Sequence, residues 1–494
     1  MKGKIMLKNV RVGLALIFWL CITFLFLDFT GTARHWFGWM AKIQFLPAVL
    51  ALNIAVVIVL IALTLIFGRI YCSIICPLGV MQDFFGWLGR RGKKNRNRYS
   101  YSPALNIVRY ATLAIFIFLI VIGMIWIAAL IAPYSTYGRI ITNLISPIYV
   151  WGNNLFADIA QNMDSYAFYH TKTAGHNIYT LIVAIVSLTV LAILAWRNGR
   201  TYCNTICPVG TVLGFFSRYS WLKPVIDTSK CNSCGLCARR CKGACINPAN
   251  HTIDYTRCVA CMDCIGNCHQ GAISYTHSKP EGKTIDSDRR KFIAGIGVMA
   301  ASATLRAQEK TVDGGLAIIE EKKIPNRATR IVPPGAISLN NLSSHCTACQ
   351  LCIANCPNGV LRPSSKLATF MQPESSYESG YCRPECTACS EVCPTGAIIK
   401  IDRAEKSSIQ IGHAVWIKEN CIPLTKGDSC GNCARHCPVG AITMVASDVS
   451  NPESVKIPVV NEARCIGCGA CEYLCPSRPF SAIYVEGHQT HKII

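Results

Sequence analysis

Gly68-Arg-Ile-Tyr-Cys-Ser-Ile-Ile-Cys-Pro-Leu-Gly79 returns later in the chain as Gly199-Arg-Thr-Tyr-Cys-Asn-Thr-Ile-Cys-Pro-Val-Gly210. Each copy reads GR-x-YC-x3-CP-x-G and follows a long apolar run, so residues 1–225 read as a duplicated helical unit. Such repeats pack about a pseudo-two-fold axis, which would bring Cys72, Cys76, Cys203 and Cys207 together. Four thiolates at one place could ligate a metal or a further iron–sulfur cluster. A disulfide pair or plain structural cysteines are the alternatives, because C-x3-C alone does not specify a cluster.

Four apolar runs are long enough to cross a bilayer, at residues 12–29, 45–67, 105–131 and 178–196. They show almost no polar face, which predicts an α-helical four-span membrane domain carrying the C-x3-C-P repeat. Arg90, Arg91, Lys93, Lys94, Arg96 and Arg98 lie between the second and third runs, and Arg197, Arg200, Arg218 and Lys223 follow the fourth. The 132–177 loop is nearly neutral. The positive-inside rule then places the N-terminus, the 68–104 loop and the residues just after 197 in the cytoplasm. The expected location is the bacterial inner membrane, crossed several times.

The chain has 494 residues, 30 cysteines and a net charge of +22, which rules out one small domain and raises the question of nucleic acid. Many basic residues flank the apolar runs, and no recognition helix or stacked-aromatic pattern is present, so nucleic acid is discounted.

Downstream the cysteines fall into ferredoxin spacing. Cys231, Cys234, Cys237 and Cys241 form one C-x2-C-x2-C-x3-C run, and Cys258, Cys261, Cys264 and Cys268 form another. Residues 226–280 therefore read as a bacterial-type two-cluster [4Fe–4S] ferredoxin domain. Three cysteines of each run would bind one cluster, and the fourth would cross to the other. That gives Cys231, Cys234, Cys237 with Cys268, and Cys258, Cys261, Cys264 with Cys241. Zinc knuckles are the bland alternative. Lys242 and His269 stand where proline is usual, and Cys245 is an extra thiol that could replace Cys241.

Residues 341–494 hold four more motifs. They are Cys346, Cys349, Cys352, Cys356; Cys382, Cys386, Cys389, Cys393; Cys421, Cys430, Cys433, Cys437; and Cys465, Cys468, Cys471, Cys475. Each ends in Cys-Pro. This predicts a larger four-cluster α+β polyferredoxin domain, and six [4Fe–4S] clusters in all, with a seventh open at the C-x3-C-P cysteines. The two outer motifs are regular and the two inner ones have widened first gaps. Between the halves, residues 281–308 contain Asp288-Arg-Arg-Lys-Phe-Ile293 and a short apolar stretch. That segment is similar to a twin-arginine export signal, with a fifth membrane helix as the alternative, and 309–340 reads as a tether.

The doubled GR-x-YC-x3-CP-x-G on apolar runs resembles the membrane quinol-dehydrogenase subunit of the periplasmic nitrate reductase system. It is also similar to the C-terminal region of the nitrous oxide reductase regulator family. The last 150 residues resemble the periplasmic polyferredoxin subunit of the same module. The resemblance implies a fusion of two subunits, with 226–280 cytoplasmic and 309–494 periplasmic. It also implies nested pairing of the four motifs: Cys346, Cys349, Cys352 with Cys475; Cys465, Cys468, Cys471 with Cys356; Cys382, Cys386, Cys389 with Cys437; and Cys421, Cys430, Cys433 with Cys393. Sequential pairing is the alternative.

No haem-attachment C-x-x-C-H, dinucleotide or phosphate fingerprint occurs, and every motif has a fourth cysteine. The expectation is an electron carrier, not a catalyst at iron. It would link the quinol pool or a cytoplasmic donor to a periplasmic cytochrome or metalloreductase, within a hetero-oligomeric complex. Menaquinol or another quinol would be a diffusible partner, with Asp28, Arg34, His35, Tyr134 and Arg139 as residues at the right depth. A membrane-anchored polyferredoxin in a ferredoxin:quinone complex, wholly cytoplasmic, is the first alternative, and a structural or regulatory iron–sulfur protein the second. With both repeat copies on one face, charge transfer between the two cluster sets is expected to need a quinone or a partner subunit.

Overall fold

A computed structural model of the chain describes residues 2–28, 30–91, 99–164, 168–171, 177–277 and 321–494, with side chains from residue 6 onward. The twin-arginine-like segment and residues 309–320 of the tether lie outside the described residues, as do Lys93, Lys94, Arg96 and Arg98.

Two of the four apolar runs form long continuous helices. Only Met6–Leu27 and Ile178–Asn198 are long and apolar enough to cross a membrane, among the described residues. The run at 45–67 breaks into Phe45–Leu50 and Ile54–Phe67. Leu52 turns left-handed at φ 51°, and the Asn53 side chain caps the second piece by accepting from Val56 N at 3.3 Å. The run at 105–131 ends its first helix, Asn106–Val121, at Gly123 with φ 79°, a conformation that glycine adopts without strain. The 14 residues of Ile54–Phe67 span only ~21 Å against a hydrocarbon core of ~30 Å. The four-span membrane domain expected from the sequence is thus corrected to a mostly helical body with two such helices. The multi-pass inner-membrane placement, with 309–494 beyond the membrane, rested on four spans and does not stand.

The helical body duplicates as the repeat predicts. In each copy a short helix (Ile70–Ile74, Thr201–Thr205) carries the first cysteine, and the second cysteine is the N-cap of the next helix (Pro77–Gly89, Pro208–Ser217). Proline opens each of these latter helices, where its missing N–H costs nothing.

The first ferredoxin domain is closed by antiparallel strands Leu222–Ile226 and Ile273–His277, with Ile226 opposite Ile273. A second small ribbon pairs Ile246 with Ile253. The larger domain has three two-stranded antiparallel ribbons, of which Ile409–Trp416 against Ile483–Ile493 is the longest-range pairing.

Both domains pack on the helical body, at different ends of its first helix. Lys8 pairs with Asp263 of the first domain at 3.0 Å, and Leu25 O accepts from Asn355 Nδ2 of the second at 3.0 Å.

Candidate iron–sulfur sites

The larger domain brings its cysteines together in sequential pairs of motifs. One cavity is lined by Cys382, Cys386, Cys389 and Cys356. Others are lined by Cys421, Cys430, Cys433 and Cys475, and by Cys465, Cys468, Cys471 and Cys437. Cys393 packs in the same core as Cys346, Cys349 and Cys352, and its charge pushes all three thiols up. The nested pairing implied by the resemblance is therefore corrected: motif one exchanges its fourth cysteine with motif two, and motif three with motif four. Neighbouring sets also touch, with Cys382 N donating to Cys468 O at 2.9 Å. Backbone amides point at sulfur, from Ala441 to Cys437 at 3.2 Å and from Ala482 to Cys475 at 3.3 Å.

In the first domain Cys258, Cys261, Cys264 and Cys241 line a cavity together with Cys245. The Cys241 and Cys245 sulfurs are 3.5 Å apart. The hydrogen bond from Cys245 holds the Cys241 thiol down, to about 7, while the same contact and one to Cys258 push Cys245 up. Both sulfurs face Cys258, Cys261 and Cys264 across the same cavity. Cys231, Cys234 and Cys237 gather at the surface, with Cys234 exposed, and Cys268 packs on the same small core as Cys237.

Cys72, Cys76, Cys203 and Cys207 converge inside the helical body, all buried. Burial pushes the Cys207 thiol up, and the charges of Cys203, Cys76 and Cys72 push it further. Each repeat's arginine reaches across to the other copy: Arg200 Nη1 donates to Cys72 O at 2.6 Å, and Arg69 Nη2 to Cys203 O at 3.2 Å. The last glycine of each repeat makes room for this crossing. A Cβ at Gly79 would overlap Cys72 O, and one at Gly210 would overlap Cys203 O. Polar hydrogens face the sulfurs, with Gln82 Nε2 3.2 Å from Cys203 Sγ and Gly210 N 3.3 Å from Cys207 Sγ. Arg200 Nη1 is 3.8 Å from Cys203 Sγ and Arg69 Nη2 4.0 Å from Cys72 Sγ. Such N–H···S contacts suit thiolates carrying iron. Among the described residues no three His, Cys, Asp or Glu side chains close on a single-ion site. Four buried thiols with N–H groups facing them fit a sulfur-ligated group.

Lys242, conspicuous in the sequence only as a missing proline, is a docking residue. Its ammonium lies 3.0 Å from Asp83 and 3.2 Å from Asp263, and its carbonyl accepts from Arg200 N at 2.8 Å. Asp83 also takes Arg200 Nε at 2.7 Å and Arg11 Nη1 at 3.4 Å. Burial alone would raise the Asp83 carboxyl, but Arg200, Lys242 and Arg11 hold it well below the usual carboxylate range.

The residues proposed for quinol have other work. Asp28 accepts from Gly31 N and Arg34 N, both at 2.8 Å, and so fixes a turn. Arg34 pairs with Glu391 of the larger domain at 3.0 Å, and Tyr134 is buried against Phe26. His35 stacks edge-on with Trp36. Arg139 is fully buried, and burial pulls its guanidinium down to about 10.

Comparison with known proteins agrees with the site. A family model described as a 4Fe-4S binding domain matches residues 49–96 and 180–228, the two repeat copies. One described as a 4Fe-4S dicluster domain matches 345–411 and 427–478, the two sequential motif pairs. The methylamine utilization ferredoxin-type protein MauM of Methylorubrum extorquens is 32% identical over 198 residues, which is 38% of this chain and 85% of the relative. The putative electron transport protein YccM of Escherichia coli is 24% identical over 238 residues, 48% of this chain and 58% of the relative. The ferredoxin-type protein NapF of Escherichia coli is 27% identical over 161 residues, 32% of this chain and 87% of the relative. No solved structure matches. These relatives replace the resemblance to a fused quinol-dehydrogenase and polyferredoxin pair of the periplasmic nitrate reductase system. By its matched repeats, its dicluster units and its identity across most of a MauM protein, the chain is an iron–sulfur electron-transfer protein and belongs to the ferredoxin-type family that MauM represents.

Proposed function

We propose that the chain is a polyferredoxin that carries single electrons through seven [4Fe–4S] clusters. Four lie in the larger domain in sequential pairing and two in the first ferredoxin domain, with Cys241 as ligand and Cys245 beside it. The seventh is held by Cys72, Cys76, Cys203 and Cys207. The observation that carries this reading is the set of cavities each lined by three cysteines of one motif and the last cysteine of its partner. Bound there, the clusters supply reversible one-electron redox chemistry. The residues around them bury the sulfurs, donate N–H groups to them and leave no open ligand position for a substrate.

The apolar outer faces of Met6–Leu27 and Ile178–Asn198 support attachment of the helical body to a lipid bilayer, with Ile17, Phe24, Ile182 and Val186 all facing outward. That favours a membrane-anchored carrier exchanging electrons with a partner in a complex, a quinone being one candidate. Iron and acid-labile sulfide should each come to ~28 per chain, four per cluster. A count near 24 would remove the seventh cluster, and one near eight would refute the reading. Failure of a menaquinol analogue to reduce any cluster, with fast reduction by a ferredoxin, would remove quinol as donor.

A further inference from the structure

The two ferredoxin domains are held at positions 8 and 25 of one helix, ~25 Å apart at 1.5 Å per residue. Contacts run from the cysteine quartet of the helical body toward each domain. On the first side, Arg69 Nη1 donates to Thr256 O at 2.8 Å, two residues before Cys258, while its Nη2 reaches Cys203 O at 3.2 Å. On the second side, Tyr202 next to Cys203 donates through its hydroxyl to Ile131 O at 2.7 Å. Arg139 holds the same turn from beyond, donating to Ala129 O at 2.9 Å. Its neighbour Gly138 lies so close to Cys349 O that a Cβ would overlap it. Asn143 clamps this contact by donating to Gln350 Oε1 at 2.7 Å.

Arg139 is the unusual group. It is 0% exposed, its Nε and Nη1 have no partner, and it makes no ion pair among the described residues. Its Nη2 is held by Ala129 O, Leu130 O and Thr136 Oγ1, but a buried guanidinium with no carboxylate partner is costly unless an anion faces it. The neighbouring Gly138 sits against Cys349 O, and a charge on Cys349 favours the guanidinium.

We propose that the helical body is an internal electron conduit: electrons pass between the two ferredoxin domains through the Cys72, Cys76, Cys203, Cys207 centre, and Arg139 is the positioning residue that sets the potential of the cluster held by Cys346, Cys349, Cys352 and Cys393. This rests on the reading that the quartet holds a cluster. With clusters held by the two cysteine sets, the exchange between them would be of one electron, with no bond or proton moved. A reduced four-thiolate cluster is more negative than an oxidised one, so an unpaired cation beside it favours reduction. No quinone or partner subunit is then needed to cross the helical body.

The test uses the full cluster-loaded chain, titrated with dithionite and followed by EPR. In Arg139→Gln one polyferredoxin signal should move to more negative potential, and Arg139→Lys should return it toward wild type, with the other signals unmoved. Unchanged potentials in Arg139→Gln with full iron content would overturn the role of Arg139. A Cys203→Ser, Cys207→Ser double variant should lose ~4 irons and no longer equilibrate electrons between the two domains in freeze-quench experiments. Loss of no iron would defeat the seventh cluster itself. Loss of four irons with equilibration as fast as before would overturn the conduit alone.

Discussion

Replacing Asp83 by asparagine should release the first ferredoxin domain from the helical body. Asp83 faces Arg200, Lys242 and Arg11 at 2.7, 3.0 and 3.4 Å, and the side chains of these cations are 0%, 8% and 8% exposed. Removing one partner of a buried ion pair leaves an uncompensated charge and costs ~3–5 kcal/mol. The three cations each keep a second acceptor: Cys72 O for Arg200, Asp263 for Lys242 and Ser73 O for Arg11. That places the loss at the lower end, ~3 kcal/mol, which is about 100-fold in a local opening equilibrium. Iron–sulfur proteins lose their clusters on unfolding, so a two-state melt is not the right measure. Amide exchange in residues 237–268 is, and it should quicken about 100-fold in Asp83→Asn while the 409–416 and 483–493 ribbon stays protected. Lys242→Pro, which restores the usual ferredoxin residue, should have the same effect. Exchange unchanged in both variants would show that the domain is held by other contacts and that the charge network is incidental.

Three further outcomes follow from the geometry. The Asp263 carboxyl, which burial would raise, is held down to about 2 by Lys242 and Lys8; its contribution of ~2 kcal/mol is therefore present above an unfolded pKa near 4 and is lost as pH falls toward 2. The difference in thermal inactivation between wild type and Asp263→Asn should narrow between pH 6 and pH 3, and a constant difference would contradict the linkage. Gly210→Ala forces a methyl into Cys203 O and should displace the quartet, at a cost of at least ~1–3 kcal/mol and with selective loss of ~4 irons; full iron content in that variant would mean that the crossing has slack. Sequential pairing predicts that Cys346→Ser with Cys393→Ser loses ~4 irons, because both serve one cluster, whereas Cys346→Ser with Cys475→Ser loses ~8; the opposite result would restore nested pairing.

The cysteine sets were legible because ferredoxin ligands are local: three of each four lie within a few residues, as with Cys465, Cys468 and Cys471. Their partners were not, since which loop delivers Cys475 or Cys437 depends on how two motifs dock. The widened gaps of the inner motifs suggested nesting, yet only lengthened the loops before Cys386 and Cys430. The repeat announced the meeting of Cys72, Cys76, Cys203 and Cys207, but not the crossing of Arg69 and Arg200 that holds it. The four apolar runs misled because composition hides a break. Asn53 and Gly123 sit inside long hydrophobic stretches, and a cap and a left-handed turn there divide each run into shorter helices. Lys242 carried a signal, the absent proline, whose meaning needed the far side of the interface.

Arg69 bears on whether the quartet is more than four ordinary thiols. Arg69 and Arg200 are each 0% exposed, yet only Arg200 has a carboxylate partner among the described residues, in Asp83. Arg69 is satisfied on one side by Asn204 Oδ1 at 2.9 Å and Thr256 O at 2.8 Å, while its other nitrogen turns to Cys203 O and the sulfur of Cys72. Neutral carbonyls stabilise a cation only in part. Four thiolates around iron would supply the missing negative charge at the place where Arg69 points. Arg69 and the quartet should then be energetically coupled. In a double-mutant cycle, Arg69→Met should cost ~2–3 kcal/mol less when Cys72, Cys76, Cys203 and Cys207 are all serine than when they are cysteine, within the range seen for directly interacting groups. The serine background keeps the carbonyl and Asn204 contacts, so those terms cancel and the difference reports the charge alone. Amide exchange of the Ile70–Ile74 and Thr201–Thr205 helices gives the four free energies. Equal costs in both backgrounds would show that Arg69 is only a hydrogen-bonding strut, and would leave the buried charge without an anion to answer it.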